Sequence, residues 1–240
     1  MFVTATHFGR HATELSLLKE LVNGKDTFRV LDFGPGLSQP QYYHELLRKE
    51  IELSSKQAPK FCWEPYEIAN ALQQIGVDYR IDLVDPNDLV TDALRKQDKL
   101  ILEHHPRRKE SYYPTKEYYQ GFFPSCQRQP LDEKIYDKYQ DAFQASFEGA
   151  IINLPQGIRE KIHIYEDDLD FPAIHKGQYD LVFCWNVACY TRFPEEKVSL
   201  FANALNIGGN LFFDIGTPTE TKGLSCRVLG QDNFLYTRTS

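Results

Sequence analysis

Apolar residues in this chain fall into two alternating rhythms. Short apolar-rich runs stand at Phe28–Phe33, Tyr79–Asp85, Ile162–Tyr165, Tyr179–Trp185 and Asn210–Asp214. Runs of this length, bounded by turn residues and acids, read as strands buried on both faces. Between them the apolar positions recur at helical spacing. Leu15, Leu18, Leu21 and Val22 share one face of a helix that Asn23-Gly24 would close. A second helix is expected over Gln41–Ile51, with Ser38 as N-cap and Pro40 near the first turn. A third runs over Pro65–Ile75, with Ile68, Ala69, Leu72 and Ile75 on one side and Gly76 as its stop. A fourth covers Glu195–Leu205, and Cys226–Leu229 and Phe234–Thr237 add two short strands. Alternating strands and helices predict an α/β fold, a doubly wound parallel sheet covered on both faces.

The rhythm breaks between residues 88 and 157. Leu89–Leu100 reads as helix, His104–Glu110 as a charged loop, and Ser111–Phe123 carries six aromatics. Ile135, Tyr139, Phe143 and Phe147 then repeat every fourth residue, as in a helix. We therefore expect one domain over 1–240, with 88–157 a largely helical, aromatic insertion after the second strand, a subdomain or lid. A long insert over the carboxyl edge of such a sheet is where a substrate lid sits.

Composition narrows the classes. The chain has 240 residues, 42% of them hydrophobic, which suffices for a substantial core. A net charge of -7 argues against a general nucleic-acid or anionic-membrane binder. No apolar run approaches the ~20 residues that span a bilayer, and Met1–Arg10 lacks the pattern of a signal peptide. The five cysteines are scattered, without a CxxC pair, which predicts neither a zinc site nor a disulfide framework and fits a reduced, cytoplasmic setting. His104-His105 has no third ligand at metal spacing, so no metal is expected.

The first strand ends in Asp32, Phe33 and Gly34-Pro35-Gly36. Glycine permits φ > 0 and lets a ligand approach the backbone, and ligands of open α/β sheets sit at the strands' carboxyl ends. A dinucleotide turn would need a third glycine where Gln39 stands, and a Walker loop would need a terminal Gly-Lys-Ser/Thr. A ligand without a pyrophosphate needs only the tight turn, and S-adenosylmethionine is such a ligand. Asp85, closing the second strand, can accept from both hydroxyls of a ribose, and Asp168, after the third, can accept from adenine. Their alternative role is to cap turns and helices.

The pattern Val30-Leu31-Asp32-x-Gly34-x-Gly36 resembles the first motif of class I S-adenosylmethionine-dependent methyltransferases. Further segments narrow the resemblance to the catalytic domain of chemotaxis-receptor glutamate O-methyltransferases, the CheR type. They are Val3-Thr-Ala-Thr6-His-Phe8-Gly-Arg10, Glu64-Pro-Tyr66, Ile158-Arg-Glu-Lys-Ile-His-Ile164 with Asp168-Leu169, Tyr179-Asp-Leu-Val-Phe-Cys-Trp-Asn-Val-Ala-Cys-Tyr190 and Leu205-Asn-Ile-Gly-Gly-Asn-Leu-Phe-Phe213. The resemblance implies a sheet of order 3-2-1-4-5-7-6 with its last strand antiparallel. It implies cofactor contacts at Thr6, Arg10, Glu64, Asp85, Asp168, Leu169, Trp185 and Asn186, beside Asp32, Gly34 and Gly36 of the turn. Arg10 and Tyr190 match positions beside the reacting methyl and the substrate carboxylate. This chain departs from the family at Trp185, where an arginine is expected, at Asp168, where an asparagine is, and at Gly9, where a second phenylalanine is. In 88–157 the family carries a small β-subdomain that docks its receptor, where the spacing here predicts helices.

The expected reaction is methyl transfer to an oxygen nucleophile, a carboxylate or a hydroxyl, of a small molecule or a protein. A carboxylate is ionised at neutral pH and needs no base. A hydroxyl needs one, and His7 and His11 are nearest in sequence, though a lone histidine is more often solvated or structural. The competing expectation is an inactive cofactor-binding or regulatory protein on the same fold, suggested by Trp185.

Overall fold

The structure, a computed structural model, describes residues 9, 11–36, 62–104, 116–130, 148–168, 170–184, 194–214, 220–229 and 233–240. The first five parallel strands of the main sheet follow the apolar runs: β1 (Thr27–Phe33), β2 (Asp78–Val84), β6 (Ile162–Tyr165), β7 (Tyr179–Cys184) and β8 (Leu205–Asp214). Two more, β9 (Leu224–Val228) and β10 (Asn233–Arg238), complete it. The seven strands lie in the order β6-β2-β1-β7-β8-β10-β9, and β10 runs antiparallel to both its neighbours. Counted along this sheet, that is the expected 3-2-1-4-5-7-6. The Gln41–Ile51 helix expected from spacing lies outside the described residues.

Strand alternation divides the interior in two. Phe28, Val30, Ile81, Leu83, Leu181, Phe183 and Phe212 face one core, with Leu15, Leu18, Ile68 and Leu72. Leu31, Phe33, Val84, Val182, Cys184, Leu211 and Phe213 face the other, with Val198, Phe201 and Ala204. The first core is roofed by α3 (Glu64–Ile75), the second by α8 (Pro194–Ala204). Gly76 ends α3 in a left-handed conformation, φ 82°, as its place after Ile75 predicts. The N-terminal helix is broken into two short turns, α1 (Ala12–Leu15) and α2 (Leu18–Leu21).

In its described part the insertion corrects the expectation of helices without strands. Helix α4 (Asp88–Lys96) stops before Leu100, and Lys99–His104 is strand β3. With β4 (Arg128–Pro130) and β5 (Glu148–Asn153) it forms a three-stranded antiparallel sheet, β3-β5-β4. Leu100 and Leu102 alternate inward from β3, and Ala150 and Ile152 do so from β5. This period of two was hidden because its partner lies some fifty residues downstream. The Lys134–Phe147 helix lies outside the described residues, and α5 (Lys116–Gly121) is short.

Three described aromatics of the insertion are core rather than surface. Tyr119, Phe122 and Phe123 are buried with α3 in the first core. Phe123 holds φ at 41°, unusual for a residue with a side chain, and its buried N–H donates to Asn70 Oδ1 at 2.8 Å. Asn70→Ala leaves that N–H without its acceptor. We expect a loss of about 1 kcal/mol in urea unfolding.

Candidate functional site

The site is built where β1 and β2 end. Gly34 and Gly36 both take left-handed angles, φ 71° and 65°, as the sequence requires of a tight turn at this point. The Gly34 N–H donates to Val84 O at 2.8 Å, so the turn begins while still tied to β2. Asp32 precedes it by two residues and shares the face of Phe28 and Val30, the face that α3 covers. The period of two thus aims a carboxyl at the start of α3, where Glu64 stands.

Asp32 is fully buried and Glu64 nearly so. Among the described residues no N–H donates to either Asp32 oxygen, and the group it meets is the Glu64 carboxyl. Burial, then the Glu64 charge and hydrogen bond, then the Asp85 charge, hold Asp32 well above the usual carboxylate range. Two buried carboxyls in hydrogen-bonding contact share a proton rather than ionise together. His11 lies with Nε2 3.2 Å from Glu64 Oε2 and is 2% exposed, which excludes the solvated reading of this histidine.

Asp85 bridges both turns. Its Oδ1 accepts from the Asn87 N–H at 2.8 Å, and the Gly36 backbone also donates to it. Burial raises its pKa, and the two backbone donors oppose the rise. Asn87 in turn caps α4 through the Leu89 N–H. The capping role weighed for Asp85 is therefore real, yet a carboxylate offers about four acceptor positions and the turns use only some of them. Asp168 is exposed, and its Oδ1 accepts from the Asp170 N–H at 2.9 Å at the start of α7 (Asp170–Ile174), the capping role weighed for it.

Sequence reasoning missed three members of this neighbourhood. Glu67, one turn after Glu64, is 1% exposed and accepts from the Gly9 N–H at 2.7 Å and from Tyr118 Oη at 2.8 Å. It ties the N-terminal segment and the insertion to α3. Burial, opposed by His11 and by those two donors, pushes its pKa up. The Tyr118 hydroxyl is raised as well, by burial and then by the Glu67 charge. Cys62 is clamped by Gln97, which both donates to and accepts from its backbone at 3.0 Å. Burial and then the Asp32 and Glu64 charges push its thiol up, which makes it a poor nucleophile. Two acids one turn apart on the otherwise apolar flank of a helix were the available signal for Glu67.

Thr6, His7, Arg10, Leu169, Trp185, Asn186 and Tyr190 lie outside the described residues. Among the described residues no group of three or more His, Cys, Asp or Glu side chains is placed to hold a metal ion, and no helix is long and apolar enough to cross a membrane.

The fold belongs to the Rossmann-like α/β class with a seven-stranded sheet and one antiparallel strand near its end. No protein-family model and no curated protein matches the chain. Solved structures similar to it include a TehB-like SAM-dependent methyltransferase from Corynebacterium glutamicum, at 13% identity over 95% of this chain and 86% of that one, TM-score 0.40. An O-methyltransferase family protein from Burkholderia thailandensis is 9% identical over 96% of this chain and 56% of that one, TM-score 0.41. The C-terminal domain of precorrin-6Y C5,15-methyltransferase from Rhodobacter capsulatus is 8% identical over 97% and 92%, TM-score 0.35.

Proposed function

We propose that the protein is an S-adenosylmethionine-dependent methyltransferase acting on an oxygen nucleophile, a carboxylate or a hydroxyl. One observation carries the reading: a turn of two left-handed glycines, Gly34 and Gly36, is flanked by the buried acids Asp32, Glu64 and Asp85. Such a turn admits a ligand to the backbone, and acids gathered in a buried site favour a cation. The cofactor, when bound, supplies a methyl group on a cationic sulfonium. Asp32 and Glu64 would stand toward the positive groups, Asp85 toward the ribose hydroxyls, and Asp168 and Leu169 toward adenine. Thr6, Trp185 and Asn186 complete the set proposed to hold it, on the resemblance.

Arg10 would orient the acceptor as a planar donor, and Tyr190 would hold it through its hydroxyl. An acceptor carboxylate then needs alignment more than proton chemistry. An acceptor hydroxyl needs a base, and His11, set against Glu64 at 3.2 Å, is the nearest described candidate. The CheR-like form of the proposal gains support from β3-β5-β4, which stands in the interval where that family carries its β-subdomain. A protein carboxylate docked on it is the acceptor that reading favours.

Isothermal titration with S-adenosylmethionine and with its demethylated product tests the proposal. Saturable binding of both at one site per chain is expected. Absence of binding by either would sink it.

A further inference from the structure

Away from the strand ends, a cavity of about 270 Å³ opens between α3, α4 and the edge strand β6. Its apolar part is made by Leu94, Ile162 and Ile164. Leu94 is 2% exposed and Ile162 8%, and Ile162 and Ile164, two apart on β6, point to one face. Tyr66 of α3 lines the same space, and its hydroxyl is not hydrogen-bonded to any described residue. Tyr66 is buried, and burial and then Cys62 push its phenol up against the opposing charge of Arg159.

Two guanidiniums complete the wall, Arg95 from α4 and Arg159 at the end of α6 (Gln156–Arg159). They are not equivalent. Arg95 already has long contacts to Thr91 Oγ1 at 3.5 Å, Asp92 Oδ1 at 3.4 Å and Glu166 Oε2 at 3.9 Å. The Arg159 guanidinium forms no ion pair or hydrogen bond with a described residue, and only its backbone N–H is bonded, to Pro155 O at 3.3 Å. Among the described residues lining the mouth, its charge is the uncompensated one.

From this arrangement we infer that the cavity is a second binding site, for a small organic anion with an apolar body. The ring or branched body lies on Leu94, Ile162 and Ile164. The anionic group meets Arg159, whose planar fork fits a carboxylate or a phosphate in two-point contact, and the Tyr66 hydroxyl donates beside it. The volume limits the occupant to about a single substituted ring. Nothing in this inference depends on the function proposed above.

Benzoate and phenyl phosphate are the probes, followed by isothermal titration against the full chain, with benzamide as the neutral control. At least one anion should saturate at one site per chain, and benzamide should bind at least about tenfold more weakly. Which anion binds tells carboxylate from phosphate. Arg159→Gln, at an exposed position where folding is not at stake, should weaken the anion at least about tenfold. Tyr66→Phe should weaken it severalfold. The inference fails if neither anion saturates at millimolar concentration, if benzamide binds equally well, or if Arg159→Gln binds as the unmodified protein does.

Discussion

Asp32→Asn should make the ligand-free protein more stable at neutral pH, by on the order of 2 kcal/mol, or roughly 4–8 °C in melting temperature for a chain of this size. The carboxyl is fully buried against Glu64, and both conditions hold its pKa above the ordinary carboxylate range. Folded Asp32 therefore keeps a proton that the unfolded chain releases. Between the unfolded and folded pKa values the native state binds more protons, so stability falls as pH rises through that window. An amide does not titrate, and it donates to the Glu64 carboxylate where a second carboxylate repels it. The gain should thus be smaller near pH 4, where about half of the unfolded carboxyl is itself protonated, and grow toward pH 7. Thermal melts at both values check this. Equal effects at the two, or a loss of stability at pH 7, would contradict the shared-proton arrangement. The same variant should bind S-adenosylmethionine more weakly, because the neutral amide cannot become a counter-charge. Stability gained together with binding lost is the usual mark of a site held under strain.

Asp85→Asn should weaken S-adenosylmethionine by at least about tenfold, the equivalent of about 1.4 kcal/mol. A carboxylate accepts from both ribose hydroxyls, and an amide there must turn its NH2 group toward one of them. The turns survive, because an Asn carbonyl oxygen can still accept from the Asn87 N–H. The melting temperature should accordingly change little. Asp85→Ala should lose both affinity and stability, since the Asn87 and Gly36 N–H groups then lose their shared acceptor. The pair of variants separates the two roles. An unchanged dissociation constant in Asp85→Asn would remove the ribose from this carboxylate.

The sequence made the sheet readable because each parallel strand is a near-continuous apolar run closed by turn residues, signals that are local. Gly34 and Gly36 were readable for the same reason, since their backbone angles follow from the turn alone. Strand β3 was not. Its two inward leucines sit at the end of a helical stretch, and the strand exists only through pairing with residues 148–153. Strand β4, three residues ending in Pro130, has too little pattern to declare itself. At the site, Asp32 and Asp85 were legible as acids at strand ends, but their environment was not. That Asp32 meets Glu64, and that His11 is buried against it, follows from how α3 and the N-terminal segment lie across the sheet. Glu67 stayed hidden because a buried glutamate looks like a solvated one until its two donors, Gly9 and Tyr118, are placed. Both lie more than fifty residues from it in the chain.

The division of the interior by the main sheet has a consequence for how the protein can change. Val30 and Leu31 are chain neighbours, yet one is packed under α3 and the other under α8. Phe183 and Phe212 lie on different strands, yet their rings stack at 4.9 Å in a single core. Covalent adjacency and energetic coupling are therefore nearly independent here. Substitutions at Val30 and Leu31 should combine additively, and substitutions at Phe183 and Phe212 should not. Each half of the interior packs around its own helix, and the carboxyl pair of Asp32 and Glu64 lies on the side of α3, the helix that Glu64 begins.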